Sequence, residues 1–197
     1  MAKILLAGAA RRDITPEVGT LLYGYNPHQV STSVHDPLNV TAAAFSDTKE
    51  TVLLLTVTVG DFQTALADEI RHKIGEVCAI PWENVVISAT HTHSAPNVAG
   101  FEGWGDVDRP YVDKFLLPAM LSVSVEAVNR MQPAVIGIGT CESNVGINRR
   151  EHTRSGHIGL GQNPWGCYDP VMTVISVRGT DGTGILNMIH YGCHGTA

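Results

Sequence analysis

Alternating strand-like and helix-like patterns predict an α/β fold, a mixed β-sheet flanked by helices and containing at least one βαβ unit. Thr51 to Val59 is an apolar run of strand length, and Phe62, Leu66, Ile70, Ile74 and Val77 recur at helical spacing behind it. Asn84-Val-Val-Ile87 then opens a second apolar strand, over 84–89. Strand, amphipathic helix and strand in that order make a βαβ unit whose strands run parallel. Leu38 to Phe45 and Thr51 to Val59 flank the polar Asp47-Thr-Lys-Glu50, a hairpin signal that adds an antiparallel pair and makes the sheet mixed.

The remaining elements follow in order. Lys3 to Ala10 reads as a first strand, followed by the turn Asp13-Ile-Thr-Pro16 and a long polar, glycine-containing loop to about Pro37. Asp61 stands before the first helix as its expected N-cap, and Pro81 lies beyond its end. A second helical pattern covers about Tyr111 to Arg130, opened by Asp108 and Pro110, with Pro118 expected to kink or split it. Strand signals return at Ala134 to Thr140, Val171 to Val177 and, after the turn Asp181-Gly-Thr-Gly184, Ile185 to Tyr191. Glu142 to Asp169 reads as a second long loop. No internal repeat or linker divides the chain, so 1–197 is expected to be a single domain.

Composition narrows the function classes. The 197 residues are 44% hydrophobic, enough to bury a core, and the net charge of −6 comes without any basic run beyond Arg11-Arg12 and Arg149-Arg150. That balance argues against nucleic acid or an anionic membrane as partner and suits a small or neutral substrate. No apolar run approaches the roughly 20 residues of a membrane span. Cys78, Cys141, Cys167 and Cys193 lie far apart, with no CxxC pair, in or beside apolar segments, and are expected to be buried free thiols. With no export signal at the start, the expected location is the cytoplasm.

Chemistry concentrates in Ser88-Ala-Thr-His-Thr-His-Ser-Ala-Pro96, where a strand gives way to a loop. Two imidazoles two residues apart in extended chain face one side, as a metal site requires. A hydrogen-bonded pair of loop histidines without metal is the competing reading. His190-Tyr-Gly-Cys-His194-Gly-Thr, again after an apolar strand, supplies a second cluster. A serine hydrolase is disfavoured because no GxSxG elbow exists, and Ser94 reads as a loop hydrogen-bonder. Gly156-His-Ile-Gly-Leu-Gly161 lacks phosphate-loop spacing and reads as part of a substrate-covering loop.

An ordered set of motifs runs nearly end to end. It comprises Ala7-Gly-Ala with Asp13-Ile-Thr-Pro16, Tyr23-Gly-Tyr25, His35-Asp-Pro-Leu38 with Ala43-Ala-Phe45, both histidine clusters, Asn148-Arg-Arg150 and Asp169-Pro170. In these the chain resembles the amino-terminal part of the neutral/alkaline (non-lysosomal) ceramidase family of zinc amidohydrolases. Its stretch from Arg149 to Asp169 is more similar to the short microbial relatives.

The resemblance implies zinc as cofactor, His91 and His194 as zinc ligands, and His93 as a residue beside the metal that contacts substrate or the reacting water. It implies Arg149 in the active site. Tyr25, His35 and Arg150 are candidate substrate contacts. The family completes its zinc with a glutamate and a tyrosine further along than Ala197, so the expected partners include the remaining portion of the same enzyme or a second copy. The expected activity is hydrolysis of a linear N-acyl amide, of a lipid or of a small molecule. A non-catalytic binding relative with an incomplete metal site is the alternative.

Overall fold

The structure is a computed structural model that describes residues 4–195. Lys3, the expected start of the first strand, and Thr196 and Ala197 lie outside the described residues. The described chain forms two compact units, one made of residues 4–135, 178–185 and 195, the other of 136–177 and 186–194.

In the first unit, β1 (Leu6–Asp13), β2 (Asn39–Ser46) and β3 (Thr51–Val57) form antiparallel neighbours, and β3 pairs in parallel with β4 (Val85–Ala89). The helix α1 (Thr64–Cys78) connects β3 to β4, so the expected βαβ unit is present. The hydrogen-bonded order is β4-β3-β2-β1-β5-β8-β9, with β5 (Gln132–Glu142), β8 (Val171–Gly179) and β9 (Gly184–His190) contributing residues to both units. The sheet is mixed, as the patterning predicts.

Register explains the core. The pairs Gly8↔Ala44, Ala10↔Ala42 and Arg12↔Val40 continue into Ala44↔Leu53, Ala42↔Leu55 and Val40↔Val57, so one face carries alanine and glycine on β1 and β2 and larger residues on β3. The long helix α3 (Leu117–Asn129) packs on β1 and β2, where side chains are smallest. A Cβ on Gly8 would run into backbone atoms of Ala127 and of Arg130 and Met131, so only glycine lets the helix come this close. On the same face Arg12 pairs with Glu126 of α3. Leu66, Ile70 and Ile74 of α1 and Leu116, Met120 and Val123 join Leu53, Leu55 and Val57 in one buried cluster.

The predicted helical stretch is divided just ahead of Pro118. A short α2 (Arg109–Tyr111) leads through a π turn at Val112–Leu116 directly into α3, with Pro118 in its first turn. Proline has no N–H, and its ring crowds the carbonyl four residues back, so a widened turn ahead of it keeps the helical path unbroken. The start is capped as predicted, with the Asp108 carboxylate accepting from the Tyr111 N–H at 3.0 Å. At α1 the prediction fails. Gln63 occupies the N-cap position without a side-chain hydrogen bond, and the Asp61 carboxylate is engaged elsewhere.

In the second unit, the expected loop from Glu142 to Asp169 contains an antiparallel hairpin, β6 (Asn148–His152) and β7 (Ile158–Asn163), irregular between Asn148 and Arg150. Asn148 donates to the Cys167 carbonyl, tying the hairpin to its flank, and Asn163 donates to the Arg150 carbonyl across the two strands. The Tyr191 hydroxyl accepts from Gly146 N–H and donates to the Ser143 carbonyl. The thiols are free, yet Cys141, Cys167 and Cys193 are exposed and only Cys78 is partly buried, which corrects the expectation of buried cysteines. Apolar neighbours in sequence do not bury a residue on the open side of a strand or loop. No helix among the described residues is long and apolar enough to cross a membrane.

Candidate metal centre

The parallel pairing of β3 and β4 builds the site. Val57 pairs with Ala89, so the two strands end level and their following loops, Thr58 to Asp61 and Thr90 to His93, emerge side by side. Thr90 N–H donates to the Val57 carbonyl at 3.0 Å, holding the second loop against the first. The space beyond the carboxyl ends of parallel strands is where open α/β sheets place their ligands.

His91 has φ of +61°, so the HxH segment is not extended as the spacing argument assumed. A non-glycine residue in the left-handed region is uncommon and concentrates at functional sites. The turn directs the His91 ring inward, and its Nδ1 stands 2.9 Å from the Gly60 carbonyl. A carbonyl can only accept, so Nδ1 carries the hydrogen and neutral His91 keeps its lone pair on Nε2. The Asp61 carboxylate stands 3.3 Å from the same Nδ1.

His93 Nε2 lies 3.4 Å from His91 Nε2, with the two rings nearly perpendicular at 83°. Two nitrogens each about 2.05 Å from one tetrahedral ion stand about 3.3 Å apart, so the two imidazoles are close enough for His93 to lie against an ion held by His91. Neutral imidazole nitrogens are donors that divalent transition-metal ions take. Tyr25 packs edge-on against the His93 ring, its centroid 4.7 Å away.

The Tyr23-Gly24-Tyr25 segment closes one side. Gly24 has φ of +120°, and a Cβ there would press on the His93 ring, so only glycine fits. Tyr23 N–H donates to the Ala95 carbonyl, and its hydroxyl donates to Asp61 Oδ2 at 3.1 Å. Burial first, then the Asp61 charge, push the Tyr23 phenol up to about 12. Asn97, almost fully buried, accepts from Ala99 and Gly100 N–H and donates to the Trp104 and Gly105 carbonyls, bracing the loop that follows the histidines.

A cavity of about 260 Å³ is lined by Tyr25, Thr90, His91, Thr92, His93, Ser94 and Gly195, the residue that follows His194 in the chain. A second cavity of about 420 Å³ shares Thr92 and Ser94 with it and has His35 on its wall, the His35 side chain being 99% exposed. The structure thus brings Tyr25, His91 and His93 together in the first unit. His194, half-buried, and Arg149 and Arg150 on β6 belong to the second unit. Sequence reasoning assigned no site role to Gly60, Asp61, Tyr23 or Asn97. The Gly-Asp pair after a strand in a βαβ unit was the available signal for the first two.

No family model matches the sequence, and no curated protein matches it. The fold is similar to the crystal structure of neutral ceramidase from Pseudomonas aeruginosa, with a TM-score of 0.74 at 18% identity. It is also similar to a ceramidase complexed with C2, with a TM-score of 0.73 at 19% identity. Each alignment covers 98% of this chain and 32% of the other, so the chain spans about a third of those proteins. In fold, the chain is similar to a region of neutral ceramidase.

Proposed function

We propose that the chain is the amino-terminal catalytic region of a zinc-dependent hydrolase that cleaves a linear N-acyl amide. The observation that carries the reading is that His91, with Nδ1 held by Gly60, presents Nε2 beyond the ends of two parallel strands, with His93 Nε2 3.4 Å away and so beside any metal His91 holds. The ceramidase-like fold and the position of Gly195 in the cavity beside both histidines support it.

In this reading His91 and His194 would hold the metal, as the resemblance to the ceramidase family implies. Zinc, when bound, acidifies a water molecule and polarises the carbonyl oxygen of the amide. Gly60 fixes the His91 tautomer so that Nε2 is the donor. His93, an imidazole that can both accept and give a proton, receives one from the attacking water and returns it to the leaving amine. Arg149 offers a forked guanidinium to the developing oxyanion, and Tyr25, His35 and Arg150 contact substrate. The leaving amine and the carboxylate account for both fragments of the hydrolysed bond.

The test is hydrolysis of N-acyl substrates of increasing chain length by a protein that carries this chain together with the downstream glutamate and tyrosine, with zinc supplied and with His91→Ala and His93→Ala variants alongside. His91→Ala is expected to abolish turnover and metal uptake. His93→Ala is expected to keep the metal within about tenfold while losing about 10²-fold or more in kcat. Equal loss of metal in both variants would move His93 into the ligand set, and activity unchanged by His91→Ala would overturn the mechanism.

A further inference from the structure

We propose that Asp61 is a positioning residue that holds His91 for the metal, with Tyr23 bracing it. The inference rests on the metal reading above and adds to it a carboxylate and a phenol. Asp61 lies at the carboxyl end of the β3 side of the βαβ unit, where an aspartate before an amphipathic helix would ordinarily cap that helix. Here Gln63 occupies the cap position, and Asp61 turns away from α1. Its Oδ2 stands 3.3 Å from His91 Nδ1 and accepts the Tyr23 hydroxyl at 3.1 Å.

The single Nδ1–H of His91 therefore faces two acceptors, the Gly60 carbonyl at 2.9 Å and this carboxylate. The carbonyl sets the tautomer. A negative charge on the same side makes the opposite nitrogen, Nε2, a stronger donor to a cation, and two acceptors restrict rotation of the ring. The brace is built into the backbone as well. A Cβ at Gly60 would overlap the Tyr23 ring, so a glycine there lets the phenol lie across the loop and reach Asp61. Tyr23 also packs against Trp104, with centroids 5.6 Å apart, which limits where its hydroxyl can go.

Cobalt(II) alone, titrated into the full chain against a competing chelator, tests the proposal without any substrate. Asp61→Asn keeps the size of the side chain and removes its charge. It is expected to weaken cobalt binding about 10- to 100-fold, with Tyr23→Phe weakening it less and in the same direction. Nitrogen-15 NMR of the metal-free protein is expected to show His91 with Nδ1 protonated, and to show a broadened or shifted Nε2 signal in Asp61→Asn. Thermal melts of each variant separate a folding defect from a binding one.

If the parent chain binds cobalt and both variants bind it within twofold of the parent, the role of Asp61 is overturned while the metal reading stands. A lowered melting temperature with unchanged cobalt affinity makes Asp61 merely structural and has the same consequence. If the parent and His91→Ala take up cobalt equally, the metal reading itself fails, and this inference with it. Should Asp61→Asn not fold, Tyr23→Phe alone decides the matter by the same twofold criterion.

Discussion

His91 is the residue on which most of the local geometry turns. Its left-handed backbone rotates the ring toward Gly60, and an extended chain at the same position would leave Nδ1 without that carbonyl. Gly24 serves His93 in a comparable way, by being small at φ of +120° against the face of the ring. Replacing Gly24 with alanine combines backbone strain with a clash, and should cost about 1–3 kcal/mol. Urea unfolding measures the cost, and the His93 ring resonances should shift in the same variant. A stability loss below about 0.5 kcal/mol would mean that the loop relaxes around the new methyl group. The histidines themselves were legible in the sequence because a repeated imidazole is a rare and local pattern. Asp61 was not, since an aspartate ahead of a helical stripe has an ordinary role as a cap, and only its distance from His91 shows the other one.

At the scale of elements, the parallel register of β3 and β4 determines which loops meet. The hairpin of β2 and β3, the helix α1 and strand β4 were all legible, because each carries a buried stripe at period two or near four. The hairpin of β6 and β7 was hidden for the opposite reason. Ile158–Asn163 contains two glycines and alternates only between exposed and half-buried, so no apolar face announces it. Its backbone ladder is supplemented by side-chain amides, from Asn148 and Asn163. The cap at α2 gives a direct check on element energetics. Removing the Asp108 carboxylate with Asp108→Ala leaves the Tyr111 N–H without its acceptor, and should destabilise the chain by about 1 kcal/mol in a thermal melt. Asp108→Asn should recover most of that loss, whereas an equal loss in both variants would show that the cap is not what Asp108 contributes.

Over the whole molecule, the buried cluster of α1, α3 and the sheet should dominate stability. Leu55 and Ile70 are fully buried in it, and truncating either to alanine should cost about 2–5 kcal/mol by chemical unfolding, far more than any substitution on the exposed hairpin. A second prediction concerns alkaline pH. Tyr23 is pushed up to about 12, and Tyr111, buried with its hydroxyl donating to the Ile14 carbonyl at 2.7 Å, is also raised by burial and by nearby carboxylates. Below pH 10 both phenols are protonated in the folded and the unfolded chain alike. Above it the unfolded chain releases these protons first, so stability should fall as pH climbs from about 10 toward 12. Tyr111→Phe should flatten that slope, which pH-dependent urea titrations can read. An unchanged slope would place the alkaline loss in other groups.

Determined by the sequence alone were the α/β class, the βαβ unit, the hairpin ahead of it and the candidate histidines, because periodicity, turn chemistry and residue type are properties of a short stretch of chain. Only the tertiary structure decided that Asp61 stands beside His91 while Gln63 takes the cap position of α1, that Gly24 and Gly60 leave room for the rings beside them, and that His91 and His93 converge at 3.4 Å. Those facts depend on strand register and on the meeting of loops far apart in the chain, and a local pattern carries neither.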